Sequence, residues 1–257
     1  LILIPTGLMG ATLPILTLHA VRRPDQVGRR TGLLYAVNTS GSVLGAVATP
    51  TLLFLPRFGL GTATLVGAVL NVSAAALALL LARRASPPLP APESVQPRAE
   101  PARSSAGVSL VLALMLVSGA VSFVYEVLWT RLLGHVVGTS LFAFATMLAS
   151  FLAGIALGSA AAARFCRTRR AAVLGFVASQ FGIAGSSMLV YLALDLVPRI
   201  AIALGTGEHA LKRSSLLACA VLLPAALCIG ATFPFAIRVL ARDEHEVGRA
   251  AARIYAW

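Results

Sequence analysis

Charged side chains are scarce in this chain, and acidic ones are the scarcest. Asp, Glu, Lys and Arg make up 12% of the 257 residues, and only nine residues are acids. A soluble domain is about 25% charged. The acids form no constellation and no βαβ pattern accompanies them, so no nucleotide-binding or catalytic site is predicted. We assign no catalytic residue and expect no cofactor within this stretch.

Cysteine and histidine are also few. Of the three cysteines, Cys219 and Cys228 are nine positions apart in one apolar run, and Cys166 lies among arginines. A separation of nine places two side chains on roughly opposite faces of a helix. The four histidines are scattered. Neither a disulfide framework nor a metal-ligand pattern is predicted.

The chain is rich in long apolar runs without charged residues. Hydrophobic residues make up 58% of the sequence, and a helix of about 20 apolar residues spans a bilayer. The sequence predicts an all-α integral membrane protein with seven transmembrane helices and a truncated eighth that begins near Arg249. The seven charge-free runs cover residues 1–21, 31–56, 58–82, 104–125, 132–163, 171–194 and 214–237.

Positive charge alternates between the predicted loops. If the chain crosses the membrane at each helix, 16 of the 21 Lys and Arg residues fall on one side. Cytoplasmic loops carry the Lys and Arg excess, so this side is predicted to be cytoplasmic and the protein to lie in the inner membrane. Topology and anionic lipid headgroups explain the net charge of +12, and no nucleic acid partner is expected. The other five cations are Arg57, Arg131, Arg199, Lys212 and Arg213.

One block of sequence occurs twice, 220 positions apart. Residues 10–14 (Gly-Ala-Thr-Leu-Pro) return as residues 230–234 (Gly-Ala-Thr-Phe-Pro), and residues 27–29 (Val-Gly-Arg) return as residues 247–249. Matches at a single offset indicate duplication of a large unit. Because the copies are six predicted spans apart, they point the same way across the membrane, as parallel repeats do. We expect a fragment, cut at both ends, of a six-plus-six helix repeat.

A proline-rich segment divides this expected repeat. Its prolines, serines and mixed charge are typical of a semi-rigid or disordered linker. The sequence therefore predicts three parts. Residues 1–82 hold the last three helices of the first repeat, residues 83–106 form a cytoplasmic linker, and residues 107–257 form the second repeat.

Polar residues near one span end are candidate ligand-binding residues. Glu126 is the only acid near the end of its apolar run, and an ionisable residue at such a place binds a ligand or proton, or forms an ion pair. Arg131 and Arg199 are the candidate ion-pair partners. Tyr125 and Trp129, one helical turn apart, are predicted to be interfacial aromatics. Together with Arg131 they are further candidate ligand-binding residues.

Two further motifs of small and polar residues lie within the predicted spans. Asn38 and Thr39, followed by Gly41 and Gly45, favour a close helix contact or the lining of a ligand path. A stripe of small residues predicts helix packing: Ser150, Gly154, Gly158 and Ala162.

The duplicated loop is the most charged short turn. Gly28 and Gly248 are predicted to supply a backbone bend, and Arg29 and Arg249 to cap a helix or form an ion pair. The alternative is a gating or docking role for this loop.

These motifs together resemble the membrane region of bacterial spermidine synthase-like proteins. That resemblance implies a multi-pass, major-facilitator-like region fused to an aminopropyltransferase domain. It also implies a link to polyamine biosynthesis, in which an aminopropyl group passes from decarboxylated S-adenosylmethionine to putrescine. The matching segments are Gly10-Ala11-Thr12-Leu13-Pro14, Leu34-Tyr35-Ala36-Val37-Asn38-Thr39 with Gly41, Gly45 and Ala46, Ser118-Gly119, Tyr125-Glu126-Val127-Leu128-Trp129-Thr130-Arg131, Gly138-Thr139-Ser140 and Gly154 with Gly158-Ser159.

Two functions follow as expectations. In the first, the chain is the membrane portion of such a fusion, anchoring the enzyme and passing polyamine to a catalytic domain that lies beyond Trp257. Its partners are then the lipid bilayer, a fused or associated aminopropyltransferase domain and polyamines. In the second, the chain belongs to a secondary transporter of major-facilitator type. The duplicated loop is similar to that superfamily's basic motif, but it falls between the fourth and fifth helices of a half rather than the second and third.

Overall fold

The described part of the chain is helical. A computed structural model describes residues 3–54, 59–84, 105–137, 140–203, 210–241 and 244–256, and no strand occurs in these ranges. A 3-10 turn at Pro24–Gln26 precedes the second helix. The helices are α1 (Leu3–Ala20), α2 (Val27–Phe54), α3 (Leu60–Arg84), α4 (Ser105–Val137), α5 (Leu141–Phe165), α6 (Arg169–Leu192), α7 (Leu196–Ala203), α8 (Ala210–Leu240) and α9 (Glu244–Ala256).

The long helices coincide with the apolar runs of the sequence. Five described helices are long and apolar enough to cross a membrane, in α3, α4, α5, α6 and α8. The all-α class and the apolar, membrane-type helices are therefore confirmed. Helices α1 and α2 fall on the two remaining runs, so the count of seven spans stays a prediction.

Helix α4 is longer than its charge-free run. That run ends at residue 125 and the next begins at residue 132, but α4 continues through residues 126–131 to Val137. Trp129 and Leu133 are buried, in a cluster with residues of α5 and α8. Packing of one helix face stabilises a helix more than local composition does, so the helix persists through two charged residues.

The chain divides into two compact units. One comprises Leu1–Val47 and Ala106–Trp257, and the other comprises Ala48–Ser105. In the second unit, α3 has no buried residue. Arg83 and Arg84, at the start of the predicted linker, belong to the last turn of α3. Residues 85–104 of that linker lie outside the described residues.

Helix α8 packs closely against α5 in the first unit. A Cβ added at Gly158 would fall on the backbone carbonyl of Leu227, and a Cβ added at Gly230 would fall on that of Ile155. Small residues let two backbones approach in this way in membrane proteins. The predicted packing stripe is therefore confirmed. Its members are all buried: Ser150, Gly154, Gly158 and Ala162.

Helix α2 reaches α5 and α8 through a glycine of its own. A Cβ at Gly32 would lie 3.1 Å from Cγ of Pro234 and 3.1 Å from the carbonyl oxygen of Ser159. The Ser159 hydroxyl, fully buried, donates a hydrogen bond of 2.8 Å to the Gly32 carbonyl. A second polar contact joins α6 to α4, where the Gln180 amide donates to the Ser118 hydroxyl at 3.1 Å. Hydrogen bonds of this kind hold apolar helices in one register.

The second glycine pair of the sequence does not pack in this way. A Cβ added at Gly41 or at Gly45 would meet no atom within 4 Å. The prediction of a close helix contact there is wrong for the described residues. The buried side of α2 passes instead through Thr31 and Thr39.

We expect Gly158→Ala to destabilise the protein, because its new methyl group meets a backbone carbonyl that cannot move cheaply. Overpacking of this kind lowers the free energy of unfolding by about 1–3 kcal/mol. Thermal unfolding in detergent micelles measures the change. Gly41→Ala is the matched control, since its methyl group enters open space, and its midpoint should stay at or slightly above that of the wild type. Equal midpoints for the two variants would contradict the packing described here.

Candidate ligand-binding groove

The aromatic residues of α4 lie inside the bundle. Trp129 is buried with Met147 of α5 and Leu222 of α8, and Tyr125 packs against the same cluster. The Trp129 ring therefore contacts neighbouring helices, and its place at a membrane interface stays a prediction. A spacing of four residues puts both aromatics on one face, as predicted, but does not reveal that this face turns inward.

Glu126 remains the one carboxylate of α4. It is partly buried, while Arg131 is exposed on the same helix. Among the described residues the only ion pair joins Arg23 to Asp25, at 3.1 Å between Nε and Oδ1. Glu126 therefore pairs with neither Arg131 nor Arg199 in the described part of the chain. Its charge lies on a helix that is apolar enough to span a membrane.

Asn38 and Thr39 take opposite positions on α2. Thr39 is 5% exposed and faces the bundle, whereas Asn38 is exposed. The backbone carbonyl of Asn38 accepts a hydrogen bond from the Ser42 hydroxyl. No hydrogen bond connects the Asn38 side chain to another described residue, so the predicted bond across a helix contact is not formed there. No hydrogen bond joins either residue to Glu126 in the described part of the chain.

A cavity lies where α2, α4, α8 and α9 face each other. Its volume is about 660 Å³, within the range of about 300–1,000 Å³ typical of small-molecule sites. The rings of Tyr35 and Phe233 are in contact on its wall, with centroids 4.7 Å apart. We call this cavity the α4 groove. Its lining residues are Tyr35, Met115, Leu116, Gly119, Ala120, Phe123, Phe233 and Ile254.

Sequence reasoning missed most of this lining. Tyr35 and Phe233 belong to or adjoin the duplicated block, and Gly119 and Phe123 lie within the segment that ends in Glu126. Their apolar character made them look like ordinary span residues. The available signal was the spacing of Gly119, Phe123 and Glu126 at i, i+4 and i+7, which places three residues on one helix face.

The duplicated loop packs closely, and its glycines explain how. A Cβ at Gly28 would meet the Cys166 side chain, and a Cβ at Gly248 would lie 3.1 Å from Cδ1 of Leu18. Both glycines lie inside helices, so close approach and not a backbone bend is what requires them. Arg29 and Arg249 are exposed and form no ion pair with a described residue, so the predicted pairing is not found there.

Cys166 is the buried centre of this loop contact. Its side chain is fully buried, and its thiol donates to the Pro234 carbonyl at 3.3 Å. Burial raises the pKa of the Cys166 thiol to about 12, and the neighbouring Arg238 guanidinium only partly opposes this shift. All three cysteines are free, as a chain without a disulfide framework should have them.

The described residues contain no recognised arrangement of catalytic or metal-binding side chains. No group of three or more His, Cys, Asp or Glu residues could hold a metal ion in that part of the chain. What the arrangement offers is one carboxylate on the helix face that lines the α4 groove. This geometry is suited to the binding of a ligand.

Comparison with known proteins gives no relative. No protein-family model, no curated protein and no solved structure matches the chain.

We expect Cys166 to resist alkylation in the folded protein. In the double variant Cys219→Ala/Cys228→Ala, Cys166 is the only cysteine, and at pH 7–8 its buried thiol holds its proton because its pKa is raised to about 12. Only the thiolate reacts, so N-ethylmaleimide should label the native protein far more slowly than the SDS-unfolded protein. The mass shift of the intact chain measures labelling. Equal rates in the two states would contradict the buried loop contact.

Proposed function

We propose that this chain is the multi-pass membrane portion of a bacterial spermidine synthase-like protein. In this role it anchors the protein in the inner membrane and passes polyamine to or from an aminopropyltransferase domain. The residues that resemble that family, from the duplicated block to the segment ending at Arg131, support the proposal. No catalytic role is assigned to residues 1–257.

The observation that carries the proposal is the position of Glu126. An ionisable residue inside a membrane-spanning helix is costly and marks a ligand or proton site. Glu126 has no ion-pair partner among the described residues and lies beside the α4 groove on its own helix. A polyamine is a cation, and a carboxylate in a medium of low dielectric attracts cations strongly.

Equivalent burial of the duplicated blocks supports the parallel repeat in this proposal. Helix α1 ends at Ala20 and α8 ends at Leu240, which keeps the offset of 220. Counterparts in the two copies are buried in one cluster, which indicates that the copies pack against each other. The counterpart pairs are Leu13 with Phe233, Val21 with Ala241 and Val27 with Val247.

One pair of positions and its counterpart pair both lie between the copies. Gly32 approaches Pro234, and their counterparts Ala252 and Pro14 line one cavity. A two-fold axis places counterpart pairs in this way. An axis along the membrane normal relates parallel repeats. The pattern supports the proposed six-plus-six repeat, with seven spans and part of an eighth in this chain.

Exposed arginines support the proposed sidedness. Arg22, Arg29, Arg164 and Arg170 flank the α1–α2 and α5–α6 turns and are exposed. Gly28 and Cys166 bring these two turns together. Basic clusters of this kind face the anionic cytoplasmic leaflet, which places these turns in the cytoplasm in our proposal.

A secondary transporter of major-facilitator type is the second candidate. The burial of the duplicated blocks in one cluster favours it, because transporter folds are built from such repeats with the ligand site between them. Against it stands the position of the duplicated loop within its half.

We expect membranes that contain the full-length protein to bind labelled putrescine or spermidine through Glu126. Removing the charge in Glu126→Gln should weaken binding at least about tenfold, because a charge-assisted interaction contributes about 1.5–3 kcal/mol. Asp195→Asn is the matched control, since it removes a carboxylate from an exposed turn. Equilibrium binding to sealed vesicles measures both variants.

Added decarboxylated S-adenosylmethionine separates the two candidate functions. A spermidine synthase-like protein forms spermidine from putrescine only when this cosubstrate is present, whereas a transporter accumulates polyamine inside the vesicles without it. Unchanged polyamine binding in Glu126→Gln would refute the role given to Glu126.

A further inference from the structure

Glu126 and the α4 groove share one face of α4. Gly119 and Phe123 line the groove, and Glu126 follows Phe123 by three residues and Gly119 by seven, which is the spacing of a single helix face. Side chains on a helix lean towards its N-terminus and cover the preceding turn. The carboxylate therefore lies over the turn that carries Phe123, at one end of the groove.

The groove walls suit an apolar body. Three aromatic rings contribute to them, those of Tyr35, Phe123 and Phe233, together with the thioether of Met115. Aromatic faces attract organic cations by about 0.5–2 kcal/mol per ring, depending on desolvation. A methionine adapts its shape to varied ligands. No charged residue belongs to the lining of this cavity.

One carboxylate in apolar surroundings selects among cations. A hydrated inorganic ion such as Mg²⁺ or Ca²⁺ needs several oxygen ligands to replace its water, and the described residues hold no such group. A compact polycation would leave its additional charges without a carboxylate partner, since the lining holds no charged residue. A cation with one charge and an apolar body satisfies both parts of the site.

We propose that the α4 groove is a binding site for organic cations that carry one charged centre beside Glu126 and an alkyl or aryl body between the rings of Tyr35, Phe123 and Phe233. The inference shares with the proposed function only the need for a cationic centre beside Glu126. It goes further by defining the body of the ligand and the residues that contact it.

Gly119 allows the groove to be filled without disturbing the bundle. A Cβ added there would meet no atom within 4 Å, so Gly119→Leu places a side chain in the cavity and Gly119→Ala places a smaller one. Gly107→Leu is the matched control, because Gly107 lies on the same helix, also meets no atom within 4 Å and does not line the groove. Monodispersity in size-exclusion chromatography establishes folding of each variant.

Tetraphenylphosphonium is the test ligand, with the full-length protein in detergent micelles and equilibrium dialysis as the measurement. We expect Glu126→Gln to weaken its binding at least about tenfold, Gly119→Leu to abolish binding, and Gly119→Ala to weaken it by a smaller factor. Phe123→Leu, which keeps the apolar volume but removes one ring, should weaken binding about two- to fivefold. Asp195→Asn and Gly107→Leu should bind as the wild type does.

Several results would overturn the site. They are the absence of tetraphenylphosphonium binding to the wild type, unchanged binding in Glu126→Gln, and unchanged binding in both Gly119 variants. Competition with spermidine separates this inference from the proposed function. If tetraphenylphosphonium binds through Glu126 and Gly119 but neither spermidine nor putrescine binds at all, the groove stands and the polyamine link fails. If polyamines bind through Glu126 while tetraphenylphosphonium does not, the polyamine link stands and the groove fails.

Discussion

Backbone contact between α5 and α8 is the constraint on which the rest of the first unit depends. Lipid tails are as apolar as leucine, so burial of apolar side chains gives little net drive for helices to associate in a bilayer. Close van der Waals packing and hydrogen bonds have to provide it. Gly158 and Gly230 remove the side chains that would otherwise separate the two helices. With α8 held in this way, its other faces pack against α6 and α2.

Pro234 connects the packing of α8 to the position of the α4 groove. It lies within α8, faces Gly32 of α2 and accepts the Cys166 hydrogen bond through its carbonyl. With α2 held here, Tyr35 lies against Phe233 and both rings reach the groove.

The sequence predicted helix type and one packing face, but not which faces meet. Gly154 and Gly158 have the same spacing as Gly41 and Gly45, yet only the first pair packs. Spacing shows that a face can be approached closely, and the partner that approaches it comes from distant sequence. For the same reason a charge-free run does not show where α4 ends, since burial of Trp129 outweighs the exposed charge of Arg131. Tyr125 and Trp129 look alike in sequence whether they face headgroups or a helix bundle.

Residues that the two copies share and residues in which the copies differ have different roles in this chain. The copies keep small and buried residues where helices must pack, and Val27 and Val247 are both fully buried. They differ at Leu13 and Phe233, so only the second copy presents an aromatic ring to Tyr35. The residues that the copies share therefore build the packed frame, and a residue in which they differ supplies one ring of the pair on the wall of the α4 groove.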